Sequence, residues 1–191
     1  MIYRICWLLS KIIFRSIYLL KIKGIENIPA TGAFILAANH NSLADPPLVG
    51  SCIKRKIYYI AKKQLFDIPV FGWIIKKSNA FPVDRESADI SAFKTALKIL
   101  SDGNGMLIFP EGTRKKTGPR KKLKRGVAVL AANTGAPVIP VAIINNDLLP
   151  RLCRLQVIFG KPMRFDQGAD YELVTSEIMR EVDILKSGVT G

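Results

Sequence analysis

The chain contains a single histidine, His40, which lies in the polar segment Asn39-His40-Asn41-Ser42-Leu43-Ala44-Asp45 after the apolar run at 33–38. An imidazole titrates near neutral pH and can act as a general base when a carboxylate orients it. On a continuous helix His40 and Asp45 would point about 140° apart, so they meet only across a turn. Asp45 followed by Pro46 predicts such a turn, as an N-cap and first helical position. From these residues alone, a general-base pair and an ordinary polar strand end both remain open.

Two further groups of charged residues follow apolar runs. Glu111-Gly112-Thr113-Arg114 comes directly after GMLIFP at 105–110, and Arg85 follows the apolar segment at 80–83. An arginine at a strand end can bind a phosphate through its planar guanidinium group. From 114 to 125, eight of the twelve residues are Lys or Arg. The alternative interpretation of this tract is a solvated basic loop.

Apolar runs of strand type alternate with segments of helical periodicity along most of the chain. Strands are predicted at 33–39, 56–61, 80–83 (an edge strand), 105–110, 137–144 and 155–160; helices are predicted at 45–51, from a Ser87 cap to Gly103, at 123–135 and at 171–185, and 68–77 is ambiguous. This alternation predicts a single α/β domain with a central, largely parallel or mixed β-sheet flanked by helices. Ligands usually bind at strand ends in such sheets, where the charged groups are expected.

The first 20 residues form a separate pattern, with 15 apolar residues and no uncharged run longer than Ile5 to Ser10. Such short runs do not span a bilayer. On a helical wheel Arg4, Lys11 and Arg15 fall within about 40° of one another, beside a wide apolar surface. This pattern predicts an N-terminal helix in the membrane interface at 1–23, followed by a domain at 24–191. A helix docked on the protein's own core is the alternative.

Composition indicates an anionic partner. The 191 residues include 29 Lys and Arg against 15 Asp and Glu, a net charge of +14, yet 49% are hydrophobic and the mean hydropathy is +0.19. A basic and apolar chain suits an anionic membrane surface better than nucleic acid. No nucleic-acid motif accompanies the basic tract. The cysteines (Cys6, Cys52 and Cys153) lack metal-ligand spacing, so we expect reduced thiols and no metal site.

Four segments in order carry a family resemblance: Asn39-His40-x-Ser42-x-x-Asp45, FPVDR at 81–85, FPEGTR at 109–114 and VIPVA at 138–142. Over roughly residues 24 to 165 the chain resembles the glycerolipid acyltransferase family, in particular the 1-acyl-sn-glycerol-3-phosphate acyltransferases. The pairing of the His-x4-Asp segment with FPEGTR is the specific part of this resemblance.

The resemblance implies a role for each matching residue. His40 would be the general base and Asp45 the residue that orients it. The acceptor phosphate and glycerol would be bound by Arg85, Glu111, Gly112, Thr113 and Arg114, and the acyl side would be lined by Ile139, Pro140 and Val141. No metal or prosthetic group is implied. The co-substrate would be a thioester of coenzyme A or of acyl carrier protein.

The implied reaction transfers a fatty acyl group to the sn-2 hydroxyl of 1-acyl-sn-glycerol 3-phosphate (lysophosphatidic acid), giving phosphatidic acid. The enzyme would lie on the cytoplasmic face of the cell membrane without crossing it. Two alternatives remain at this stage. In the first, the enzyme acylates glycerol 3-phosphate or another lysophospholipid. In the second, the chain is a basic, non-catalytic protein that binds membranes or nucleic acid.

Overall fold

A mixed seven-stranded sheet forms the centre of the computed structural model, which describes residues 2–84, 89–114 and 123–188. Within these residues the strands are β1 (Lys21–Lys23), β2 (Phe34–Ala38), β3 (Ile57–Lys62), β4 (Ala80–Val83), β5 (Gly105–Ile108), β6 (Val138–Ile144) and β7 (Gln156–Phe159). Their order is β1-β7-β6-β2-β5-β3-β4. All neighbours are parallel except β6 and β7. The carboxyl ends of β2 to β6 therefore share one edge of the sheet.

Helices cover both faces of this sheet. They are α1 (Ile2–Ser16), α2 (Asp45–Cys52), α3 (Phe71–Lys77), α4 (Ile90–Ser101), α5 (Gly126–Thr134) and α6 (Tyr171–Ser187). The side chains of β2 point alternately to the two faces of the sheet and so divide the core. Phe34, Leu36 and Ala38 pack with α1 and α2, whereas Ile35 and Ala37 pack with α4, α5 and α6. Every residue of β2 is fully buried, because both faces of this central strand are covered. The predicted α/β class is confirmed.

Several elements differ in detail from the expectation. The ambiguous segment at 68–77 contains α3, and β4 is an edge strand as expected. The helix expected from Ser87 begins at Ile90, capped by the Asp89 carboxylate, which accepts from the Ala92 N–H; Ser87 itself lies outside the described residues. Hydrogen bonds from the backbone N–H groups of Asp84 and Ala92 lower the pKa of Asp89 to about 2.

The predicted N-terminal segment 1–23 contains more than a helix. Strand β1 pairs with β7, so residues 21–23 are part of the sheet. One face of α1 docks on the domain: the Trp7 indole N–H donates to the Ile53 carbonyl at 2.8 Å, and Phe14 is buried. Large apolar residues elsewhere on this helix are exposed: Ile5, Leu8, Leu9, Ile12 and Ile13. Among the described residues, no helix combines the length and the apolar run needed to cross a bilayer.

Candidate active site

His40 lies two residues beyond the end of β2 and is almost fully buried, with 8% of its surface exposed. The preceding residue fixes this position, because the Asn39 side chain forms two hydrogen bonds to β6. Its Nδ2 donates to the Ile143 carbonyl at 3.0 Å, and the Ile143 N–H donates to Asn39 Oδ1 at 2.8 Å. These bonds continue the pairing of β2 and β6 past Ala38 and Val141. The imidazole therefore stands on a rigid strand end.

The carboxylate of Asp45 lies 2.8 Å from Nδ1 of His40 and is completely buried. Its Oδ2 also accepts the backbone N–H groups of Asn41 and Ser42, both at 2.9 Å. These bonds form the turn that the spacing required. The expected N-cap role of Asp45 is wrong: α2 begins at Asp45, and Ala44 occupies the cap position. The carboxylate points back to the preceding loop because the imidazole and two N–H groups there all donate to it.

The hydrogen bond to Asp45 assigns the two nitrogens of His40. A carboxylate accepts hydrogen bonds, so Nδ1 carries the proton that lies between the two side chains. Nε2 then holds a free lone pair and can accept a proton from a substrate. Phe109 stacks on the imidazole with 4.0 Å between ring centroids and 18° between the planes. The ring is thus held in its plane as well as in its tautomer.

The FPEGTR segment turns sharply after β5, the neighbour of β2. The Gly112 N–H donates to the Phe109 carbonyl at 2.9 Å, and Gly112 has φ +69°, a conformation that favours glycine. Glu111 is half-buried, whereas Thr113 and Arg114 are exposed. The turn brings these residues to the edge of the sheet that carries His40.

Arg85, the other predicted phosphate ligand, lies outside the described residues. Strand β4, which precedes it, ends at Val83 on the same edge of the sheet. It stands three strand positions from β2, roughly 14 Å at normal strand spacing. By contrast, β5, which precedes Arg114, is adjacent to β2.

A cavity of about 410 Å³ opens beside His40 and Phe109. Its walls come from α1, α2, α3 and β3 and are mainly apolar. Lining residues include Trp7, Ile13, Pro47, Leu65 and Ile74. Leu9, Leu43 and Phe71 line the cavity and are also exposed, so its rim is apolar. The space is suited to an extended hydrocarbon chain that ends at the imidazole.

Two tyrosines line the cavity on the α1 and β3 sides. The Tyr3 hydroxyl accepts the Ile57 N–H at 3.3 Å and is hydrogen-bonded to Tyr59. Burial raises the pKa of Tyr3, and it raises the pKa of Tyr59 well above its usual range, so both remain neutral. Tyr59 packs on Gly50 of α2 so closely that a Cβ at position 50 would overlap the Tyr59 hydroxyl.

The register of the sheet gives the depth of this region. Tyr59 is level with Leu107, two residues before Phe109, and Ile57 is level with Gly105, four residues before Phe109. At the rise of a β-strand, four residues correspond to about 13 Å. The two tyrosine hydroxyls therefore lie below the level of the His40 ring, toward the amino ends of the strands.

Two other potential nucleophiles, Cys52 and Ser42, are protonated or occupied. Burial raises the pKa of the Cys52 thiol to about 12, so it is protonated at neutral pH. The Ser42 hydroxyl accepts the Ala44 N–H at 3.2 Å, consistent with the structural role expected for it. All three cysteines are free.

The structure places Ile139, Pro140 and Val141 in the middle of β6, buried between the two core layers. None of the three is among the residues that line the cavity. Their role on the acyl side stays a prediction. The cavity is lined instead by α1, α2 and α3, whose contributions depend on helix packing and were not apparent from the sequence.

Sequence reasoning also missed Asn146. Its Nδ2 donates to the second carboxylate oxygen of Asp45 at 2.9 Å. The available signal was the pair Asn145-Asn146 directly after a predicted strand, which places an amide at the same edge of the sheet as His40.

Comparison with known proteins supports this fold and identifies the family. A family model described as Acyltransferase matches residues 19–144. A 1-acyl-sn-glycerol-3-phosphate acyltransferase from Bacillus subtilis is 34% identical over 165 residues, which cover 84% of this chain and 82% of that protein. The chain therefore belongs to the acyltransferase family, whose members are enzymes.

Further relatives carry the same name. The 1-acyl-sn-glycerol-3-phosphate acyltransferase of Streptococcus pneumoniae is 33% identical over 68% of this chain and 50% of its own length. A solved structure, the 1-acyl-sn-glycerophosphate (LPA) acyltransferase PlsC from Thermotoga maritima, is 28% identical with a TM-score of 0.76, covering 96% of this chain and 79% of that one. The chain spans most of the Bacillus protein and about half of the Streptococcus one.

Proposed function

We propose that this protein transfers an acyl group from a thioester to the sn-2 hydroxyl of lysophosphatidic acid and so forms phosphatidic acid. The observation that carries this proposal is the His40–Asp45 pair at the rim of an apolar cavity. A general base beside a site for hydrocarbon is what acyl transfer to a lipid hydroxyl requires. We assign lysophosphatidic acid as the acceptor because the relatives are named 1-acyl-sn-glycerol-3-phosphate acyltransferases.

The reaction uses His40 as base and then as acid. Nε2 of His40 removes the proton of the acceptor hydroxyl while that oxygen attacks the carbonyl carbon of the thioester. The resulting imidazolium is stabilised by the adjacent Asp45 carboxylate at 2.8 Å. The tetrahedral intermediate then collapses, the C–S bond breaks, and the leaving thiolate takes the proton from His40. The ester, the free thiol and the neutral imidazole are the products, and no acyl-enzyme forms.

The cavity accommodates the acyl chain of the donor. The exposed residues Leu9, Leu43 and Phe71 line the same cavity as His40, so we place the acyl chain in the cavity with its thioester at the imidazole. Holding both substrates at this edge of the sheet supplies part of the rate through proximity. Coenzyme A and acyl carrier protein thioesters are both compatible with this arrangement.

The acceptor phosphate binds at the turn after β5. Arg114 supplies a planar cation there, and Arg85, which follows β4 in the sequence, is the second cation that we assign to the phosphate. The Thr113 hydroxyl adds a neutral donor, and Gly112 shapes the turn that presents it. A phosphate held at this turn leaves the sn-2 hydroxyl free to approach His40.

The enzyme attaches to the cytoplasmic face of the membrane through α1. The docked face of α1 forms part of the cavity wall, and its opposite face exposes Leu8 and Ile12. Arg4 and Arg15, both exposed, flank this apolar surface and suit anionic headgroups. A lysolipid in the same leaflet would then reach the cavity rim without full transfer into water.

Purified protein offered a panel of acceptors and donors tests the proposal. The acceptors are lysophosphatidic acid, glycerol 3-phosphate and lysophosphatidylcholine, each with acyl-CoA and acyl carrier protein thioesters, and products are identified by mass spectrometry. We expect phosphatidic acid as the main product. A higher kcat/KM for glycerol 3-phosphate or for lysophosphatidylcholine would move the assignment to that acceptor, and no ester product would favour a non-catalytic protein.

A further inference from the structure

The Asp45 carboxylate receives a fourth hydrogen bond that comes from far along the chain. Three donors, from His40, Asn41 and Ser42, converge on Oδ2, and all belong to the loop that precedes Asp45. Oδ1 accepts instead from Nδ2 of Asn146, 101 residues away, at 2.9 Å. Only the last of these bonds ties the carboxylate to a different strand end.

Asn146 is itself oriented by its neighbours. It is 1% exposed, and its Oδ1 accepts the Asn41 side-chain amide at 3.1 Å. In the opposite orientation of the amide, Oδ1 would face the Asp45 carboxylate and two NH2 groups would face each other. The network therefore admits one orientation, in which Nδ2 points at Asp45.

The backbone brings Asn146 to this place through two features. The Asn39 side chain locks the end of β6 to the end of β2 at Ile143. Asn145 then adopts a left-handed conformation, with φ +63°, at the start of the short 3-10 helix Asn146–Leu148. An asparagine tolerates this conformation better than most residues. The position of Asn146 is thus as rigid as the strand ends that carry His40.

We infer that Asn146 is a positioning residue of the His40–Asp45 pair. Four donors on two oxygens leave the carboxylate one orientation, in which Oδ2 faces Nδ1 of His40. With the Asn146 bond absent, Oδ1 loses its anchor and the carboxylate can rotate away from the line of the imidazole. Asn146 does not line the cavity, so its effect reaches the reaction through Asp45 and not through substrate contact. This role rests on the proposed function only for its consequence in catalysis.

Two substitutions remove the donor. Asn146→Leu keeps most of the side-chain volume, and Asn146→Ala removes it. In both, we expect kcat to fall on the order of tenfold with the KM of acceptor and donor unchanged, as for other residues that orient a catalytic group. Asn145→Gly is the matched control. It keeps the positive φ and deletes the amide that donates to the Arg154 carbonyl, a bond in which neither Asp45 nor Asn146 takes part.

A second readout does not depend on turnover. His40 is the only histidine of the chain, so the imidazole 15N and Nδ1–H signals in an NMR spectrum report this pair without ambiguity. We expect the Nδ1–H signal to shift or broaden in both Asn146 variants and to be unchanged in Asn145→Gly. Thermal unfolding of each variant establishes that the folded protein is being compared.

The two readouts separate the inference from the proposed function. Unchanged kcat in the folded Asn146 variants, a change confined to KM, or an unaltered His40 signal would overturn the inference while leaving the acyl transfer of the wild type intact. A wild type without acyl transfer would refute the proposed function, and the NMR signal would still decide whether Asn146 orients the pair. Variants that do not fold at all would assign Asn146 to stability and overturn the positioning role.

Discussion

Asp45 combines two roles in one residue: it begins α2 with Pro46 and Pro47, and its carboxylate holds the only histidine. The carboxylate is free to accept from Asn41 and Ser42, because Pro46 and Pro47 have no N–H and the Asp45 and Leu48 N–H groups donate to the Ser42 and Ala44 carbonyls. Because Asp45 is fully buried, each donor on it replaces a water that the carboxylate has lost. The pair is therefore held in geometry before any substrate arrives.

At the residue scale, Arg114→Ala should raise the KM for lysophosphatidic acid on the order of tenfold with little change in kcat, because a charge-assisted bond to phosphate acts in both ground and transition states. Initial rates against acceptor concentration measure this. Arg164→Ala is the control, since Arg164 donates to the Gly135 carbonyl ahead of β6, at the opposite edge of the sheet. An unchanged acceptor KM in Arg114→Ala would remove Arg114 from the phosphate site.

The residue scale also shows what the sequence could not supply. The spacing of His40 and Asp45 required a turn, and the turn is present. The partner of Asp45 at position 146 was missed, because nothing local connects residues 101 positions apart. The N-cap expected at Asp45 was wrong for a different reason: the imidazole of His40 and the N–H groups of Asn41 and Ser42 bind its carboxylate instead of the N–H groups of α2.

At the scale of elements, the contact between α2 and β3 shapes the cavity. A methyl group on Gly50 would overlap the Tyr59 hydroxyl and intrude into the lining. Gly50→Ala should therefore shift the preferred donor toward shorter acyl chains, although alanine favours a helix by up to about 1 kcal/mol. Turnover with a series of acyl thioesters measures the shift. Gly126→Ala, where no atom lies within 4 Å of the added Cβ, is the control. Identical chain-length profiles for Gly50→Ala and wild type would contradict acyl binding in this cavity.

Helix α1 has two faces, and the wheel alone did not show which one docks. The predicted apolar surface is wide enough both to dock on the domain and to contact a membrane. Which face docks is decided by α2 and the Ile53 carbonyl, and the helical wheel contains neither. Strand β1 was missed for a simpler reason. Three residues, Lys-Ile-Lys, are too short a pattern to predict a strand, and its pairing with β7 depends on a distant sequence.

The exposed face of α1 yields a test that spares the cavity. Leu8→Glu with Ile12→Glu places two charges on that face and should reduce flotation with anionic liposomes severalfold, since a charge disfavours the acyl boundary. Leu173→Glu, at an exposed position on α6, is the control. Substitution is preferable to removal of residues 1–23, which would also delete a cavity wall and a strand. Equal flotation of the two variants would remove α1 from the membrane contact.

For the whole molecule, the α/β class and most of the strand and helix order followed from periodicity, because alternating buried strands and amphipathic helices leave few other arrangements. The cavity could not be predicted from periodicity, because the three helices α1, α2 and α3 in its walls meet only in the folded chain. The net charge of +14, in contrast, is read from the composition and belongs to the molecule as a whole.

This charge makes membrane binding depend on salt. Binding to anionic vesicles should exceed binding to neutral ones at about 0.1 M salt, and it should fall, but not to zero, at about 1 M, where the screening length is near 3 Å. The binding that remains at high salt comes from the apolar face of α1. Flotation at both salt concentrations measures this. Equal binding to neutral and anionic vesicles at low salt would contradict an electrostatic contribution.

The most direct measurement compares phosphatidic acid formation by the wild type and His40→Ala, with lysophosphatidic acid and an acyl thioester at saturating concentrations. Wild-type protein should form phosphatidic acid, and His40→Ala should lose on the order of 100-fold or more of kcat while its near-UV circular dichroism stays native. Asp45→Asn should be severely impaired as well, because an amide cannot stabilise the imidazolium. Near-normal turnover by a folded His40→Ala protein would contradict the account.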